Sequence, residues 1–108
     1  MPDVMNIQEL VAYQKGAIVS KTLVEKEAGT VTLFALDQGQ ALSEHTAPFD
    51  ALVQVTDGRA EIRIAGEPFQ VGEGELLVMP AHKSHALKAL TPFKMMLTMI
   101  RAADVKKK

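Results

Sequence analysis

The sequence predicts an all-β protein, a small sandwich or barrel preceded by one short helix. Two observations carry this. Past Gly16, runs rich in Val, Ile, Leu, Thr and Phe recur every eight to twelve residues or so. Turn signals separate them: Ala28-Gly29, Asp37-Gln38-Gly39, Asp57-Gly58, Ala65-Gly66, Gly72-Glu73-Gly74 and Thr91-Pro92. A third observation marks where a site would lie. All three histidines, His45, His82 and His85, fall among glycines and a proline on these short runs.

Taken in order, Asn6 can cap a short helix from Ile7 to Ala12, with Glu9 completing a capping-box pattern. Ile7, Leu10 and Val11 give that segment one apolar stripe, suited to packing on the barrel. The expected division is residues 1–16 as helix and arm, 17–103 as barrel and 104–108 as a solvated lysine tail. Asp57-Gly58 is the strongest hairpin signal, because glycine takes the positive φ of a tight turn. After it, Arg59 to Ala65 alternates: Ala60, Ile62 and Ile64 face one side, Glu61 and Arg63 the other. Thr30 to Leu36 and Lys94 to Arg101 are apolar on both faces. A barrel interior covers one face only, so a homodimer is expected, with Thr32, Phe34, Met96 and Ile100 outside the barrel and under the partner.

Composition narrows the function classes. The 108 residues suffice for one domain with a single core. Net charge is −1, and the body without the three-lysine tail carries −4, nine basic residues against thirteen acidic. No basic patch interleaves with aromatic residues, so nucleic acid is not an expected partner. With no cysteine, disulfides and thiolate metal sites are excluded. The first ten residues are too polar for a signal peptide and no apolar run approaches a membrane span, so a cytoplasmic protein that avoids membranes is expected. No Ser/His/Asp constellation or phosphate-binding loop is present, and Gly72-Glu73-Gly74 reads as a turn.

The glycine, proline and histidine framework resembles the cupin superfamily of small jelly-roll barrels. The first family motif runs Gly, five residues, His, one, His, three or four, Glu, six, Gly; Gly39, His45 and Gly58 match it. The second runs Gly, five, Pro, one, Gly, two, His, three, Asn; Gly74, Pro80 and His85 match. The resemblance spans roughly residues 29–101 and implies a single cupin jelly-roll barrel. In metal-binding cupins the motifs supply three histidines and a glutamate. Here Ala47 and Ala51 stand at the second His and the Glu, while His82 and Ala89 replace the second motif's Gly and Asn.

Two imidazoles, His45 and His85, are therefore expected to face one cavity. If His45 points inward, strand parity sends Ala47, Ala51, Val53 and Val55 with it; from His85, Leu87 and Ala89 follow. Two nitrogen ligands alone hold a divalent metal ion weakly, since catalytic zinc commonly keeps three protein ligands. His82 is the candidate third ligand, although its turn position after Pro80 favours an exposed side chain. Asp50 joins the cavity only if a bulge near Pro48 turns it inward, where it would pair with His45 and tune it as a general base. Glu44, next to His45, points to the other face. Phe49 sits close enough to line the pocket mouth. Met79, Met95, Met96 and Met99 suit either a cavity wall or ordinary core and interface.

Three functions fit these residues. The expectation is a small-molecule-binding cupin of undefined chemistry with metal weak or absent. The alternatives are a metal-dependent oxygenase, isomerase or decarboxylase, and a metal-free epimerase-like enzyme using a histidine base. Few Lys or Arg lie on cavity-facing strands, which argues against a nucleotide-sugar substrate.

Overall fold

A computed structural model describes residues 3–102. Nine strands form two antiparallel sheets: β1 (Ile18–Lys26), β2 (Gly29–Leu36), β3 (Ala41–His45), β4 (Phe49–Asp57), β5 (Arg59–Ile64), β6 (Glu67–Gly72), β7 (Leu76–Met79), β8 (His85–Ala89) and β9 (Phe93–Arg101). One sheet has the order β1-β2-β9-β4-β7, the other β3-β8-β5-β6. The expected all-β jelly roll is what these residues build. Its core lies between the sheets, where Leu36, Val53, Val55, Ile62, Phe93 and Met95 are the largest fully buried side chains.

The predicted helix is only a 3-10 turn, Ile7–Glu9. Asn6 does cap it, accepting from the Gln8 amide at 2.9 Å. Six residues with one apolar stripe are too few to sustain an α-helix, so tertiary contacts decide the segment. They do so on the outer face of the five-stranded sheet. Val11 is buried there with Leu33 and Ala35, flanked by Leu10, Tyr13, Val19, Leu23 and Met96. Polar ties hold the arm down. The Tyr13 hydroxyl donates to Asp57 at 2.5 Å, Gln8 donates to the Thr56 carbonyl at 2.7 Å, and Lys94 donates to the Gln8 carbonyl at 2.6 Å.

This arm reverses part of the expected outside surface. Phe34 lines the interior cavity and Thr32, two residues earlier on the same unbroken register, shares its face. Leu33 and Ala35 are the residues that face outward, and the arm buries them. Met96 lies on the outer face as expected, opposite Leu33, and Ile100 is exposed. A strand apolar on both sides has no alternation from which to read its orientation, and the arm covering it is distant in sequence.

Asp57-Gly58 makes a bend at a corner between the sheets and no hairpin. β4 and β5, on either side of it, belong to different sheets. Gly58 has φ 77°, and a Cβ there would lie 2.0 Å from the Pro92 carbonyl oxygen. The tight hairpin lies at Ala65-Gly66, joining the paired strands β5 and β6, with φ 51° and 84°, both positive as a type I′ turn requires. Along β5 the expected alternation holds. Ala60 and Ile62 are buried, while Arg63 and Glu61 form an ion pair at 3.0 Å on the outer side.

Candidate functional site

β3 ends where β8 begins, and their register places His45 directly opposite His85. A register shift lies between Leu42 and His45. The extra residue of this bulge lets both side chains point inward although three positions separate them. The two imidazole centroids are 4.4 Å apart, edge to face at 70°. His85 is 7% exposed, whereas His45 sits at the open end of the site.

Both rings are anchored in the same way. His45 Nδ1 lies 2.8 Å from the Ser43 carbonyl oxygen, and His85 Nδ1 lies 3.2 Å from that of Lys83. A carbonyl oxygen only accepts, so each contact places the ring proton on Nδ1. In the neutral ring Nε2 then carries a lone pair. Burial holds the His85 pKa below the usual histidine range, neighbouring His45 adds to this, and the Lys83 carbonyl opposes it.

That shift has a consequence for stability. His85 binds its proton less readily folded than unfolded, so the unfolded chain takes up more protons as pH falls through the histidine range near ~6.5. The stabilising contribution is full above that range and is lost on acidification. Urea unfolding between pH 7.5 and 5 should show falling stability, and His85→Gln should flatten the decline. An unchanged slope in the variant would exclude His85 as its source.

The two rings form one wall of an interior cavity of about 200 Å³. Nine of its eleven lining side chains are apolar: Phe34, Leu42, Ala47, Phe49, Ala51, Met79, Leu87, Leu97 and Met99 join the histidines. Parity from His45 therefore predicts Ala47 and Ala51 correctly, and parity from His85 predicts Leu87. Among the methionines, Met79 and Met99 line the cavity, Met95 is core and Met96 lies on the outer face. Phe49 lines it too, with the Arg101 guanidinium 4.9 Å from its ring centroid. Phe34, Leu42 and Leu97 escape a reading centred on histidine, because only the two-sheet packing brings β2, β3 and β9 around one space.

Two expected site residues lie elsewhere. Asp50 is exposed and does not line the cavity; its carboxylate accepts from the Ala81 amide at 2.9 Å and so holds the β7–β8 loop. It pairs in register with exposed Ile100, on the outward side of β4, and no bulge at Pro48 turns it inward. His82 is also exposed, at φ 68°, with its amide donating to the Ala47 carbonyl at 2.9 Å. The left-handed φ accounts for glycine at this point of the family motif. His82 is not among the residues that line the cavity.

The donor set does not fit a resident metal ion. Two imidazoles line the cavity, methyl groups occupy the other two ligand positions, and no group of three His, Cys, Asp or Glu among the described residues is placed to hold a metal. Likewise, no helix among the described residues is long and apolar enough to cross a membrane.

Comparison with known proteins agrees with the architecture. Residues 32–101 match the cupin domain family model. The conserved SPY1581 protein of Streptococcus pyogenes, described as of unknown function, is 36% identical with a TM-score of 0.91, over 96% of this chain and 91% of that one. A cupin 2 conserved barrel domain protein from Leptotrichia buccalis is 44% identical with a TM-score of 0.87; 90% of this chain matches it but only 47% of that longer chain is covered. A cupin superfamily protein from Desulfitobacterium hafniense shares the fold at 22% identity and a TM-score of 0.87, over 95% of this chain and 94% of that one. No curated protein matches the sequence. With the family model spanning residues 32–101, well over half of the chain, the chain belongs to the cupin family.

Proposed function

We propose that this cupin binds a small molecule in the cavity between its sheets, at the paired His45 and His85, with any divalent metal held weakly. The cupin fold supports a small-molecule-binding or enzymatic role in general. The observation that favours binding is the pair of imidazoles, 4.4 Å apart, on the wall of an otherwise apolar cavity. Phe49 stands with His45 at the entrance, and His45 is the candidate general base if the bound molecule is also turned over. A metal enzyme would need a third donor, and His82 and Asp50 are both directed elsewhere.

Titration with Zn²⁺, Mn²⁺ and Ni²⁺ tests the metal part. The expected result is weak, chelator-reversible binding in the usual order for nitrogen and oxygen donors. It should be lost in His45→Ala and His85→Ala and unchanged in His82→Ala. Stoichiometric metal surviving prolonged chelation would promote the enzyme reading, and loss of binding in the His82 variant would make that residue a ligand.

The proposal extends to a cytoplasmic homodimer. Cross-strand pairing lines up Val24, Val31, Thr98, Leu52 and Val78 in one row across all five strands of the larger sheet, on its outer side. Val24, Val78 and neighbouring Ile100 are 44%, 50% and 56% exposed, beside the part of that face the arm already covers. A largely apolar row of this kind suits a second copy of the same row. Sedimentation at micromolar concentration should give the dimer mass, and Val78→Lys should give the monomer. A monomer mass for the parent protein would refute the dimer.

A further inference from the structure

Resting on the binding role proposed above, we infer that the cavity selects a neutral, single-ring molecule bearing a hydroxyl group, of the phenol class, and discriminates against carboxylates and phosphates. Three observations carry this.

The first is polarity. His45 and His85 each commit Nδ1–H to a backbone carbonyl, Ser43 and Lys83 respectively. What remains for a ligand is a pair of Nε2 acceptors. Hydrocarbon, thioether and phenyl groups make up the rest of the lining. An acceptor in such surroundings calls for a donor from the ligand, and a hydroxyl hydrogen supplies it to one ring of the pair. A carboxylate or phosphate supplies only acceptors, and no Lys or Arg lines the space to neutralise it.

The second is size. At about 200 Å³ the cavity is below the usual drug-sized range. Apolar cavities of about 150 Å³ admit benzene, so one substituted six-membered ring is the scale that fits. The third is shape. Phe34 and Phe49 both border the space, and their rings favour edge or offset contact with another ring.

Phenol and toluene have the same number of heavy atoms and differ in the donor, and benzoate adds the anion. Their binding is measured by calorimetry or NMR titration at pH 8, above the histidine range near ~6.5, with chelator present. A cavity without a usable acceptor favours toluene about tenfold or more, because a buried hydroxyl without a partner is penalised. The expected result is that the parent protein binds phenol at least as tightly as toluene, and benzoate worst. In His85→Leu or His45→Leu, whichever removes the ring that accepts the hydroxyl, phenol should fall about tenfold while toluene is retained. His45 lies at the open end, so its variant serves if the His85 variant fails to fold.

Toluene winning tenfold in the parent protein, or benzoate binding more tightly than phenol, would overturn the hydroxyl assignment and leave the binding cavity standing. Failure of toluene and phenol alike to bind up to their solubility would overturn the cavity role itself, and this inference with it.

Discussion

Gly58→Ala should unfold the barrel or come close to it, while Gly39→Ala should leave it folded. Both glycines belong to the first family motif and both have positive φ, 77° and 85°. The conformational cost of an alanine in the left-handed region is therefore shared, on the order of 1–2 kcal/mol. Space separates them. A Cβ at Gly39 meets nothing within 4 Å. At Gly58 it would lie 2.0 Å from the Pro92 carbonyl oxygen and 2.8 Å from Phe93 Cα and Cβ. Pro92 leads directly into β9, which Phe93 opens, and Phe93 is fully buried in the core, so neither side can yield cheaply. Moving β9 would disturb its pairing with both β2 and β4. A combined loss of about 4 kcal/mol or more is a large part of the 5–15 kcal/mol that typically stabilises a domain. Urea titration of both variants measures the difference. A Gly58 variant within about 1 kcal/mol of the Gly39 variant would show that the corner can relax.

The same corner marks how far the sequence was legible. Asp57-Gly58 announces a tight hairpin, and a bend between the two sheets stands there instead. Whether the next strand pairs with the previous one or crosses to the other sheet depends on packing around Pro92 and Phe93, more than thirty positions away. Parity behaved similarly. From His85 it predicts Leu87 and Ala89 inward because β8 is regular, and all three are buried. Backwards from His45 it fails at Leu42, because a bulge shifts the register and nothing in Ser43-Glu44 announces it. The expected outward face for Thr32 and Phe34 is the wrong one because the apolar pattern of β2 is symmetric, and the N-terminal arm that breaks the symmetry is local to neither strand. His82 was legible through its position: a histidine at the family's glycine takes the glycine's φ and leaves the cavity.

Ala47→His should convert a weak metal site into a strong one, tightening divalent binding at least about tenfold over the parent protein. The argument rests on what is already in place. His45 and His85 are paired across β3 and β8, each with Nδ1 committed to a carbonyl and Nε2 left as donor to a metal. Ala47 borders the same cavity, and the space of about 200 Å³ in front of it can take an imidazole. A third nitrogen on the cavity wall brings the donor count to that of common catalytic zinc sites, with the remaining positions open. An imidazole must be neutral to coordinate, so affinity should decline on acidification. Ala47→Leu adds bulk without a donor and should leave metal affinity at the parent level, which separates coordination from mere filling. Ala51 is the less favourable place for the same experiment. It is 3% exposed, and a carboxylate there would be buried beside Met79 and Met99 unless metal neutralised it. Competition titration against a chelator reads each affinity directly. If Ala47→His binds no more tightly than the parent protein, the two native imidazoles do not converge on a common ion, and the cavity's chemistry is hydrogen bonding alone.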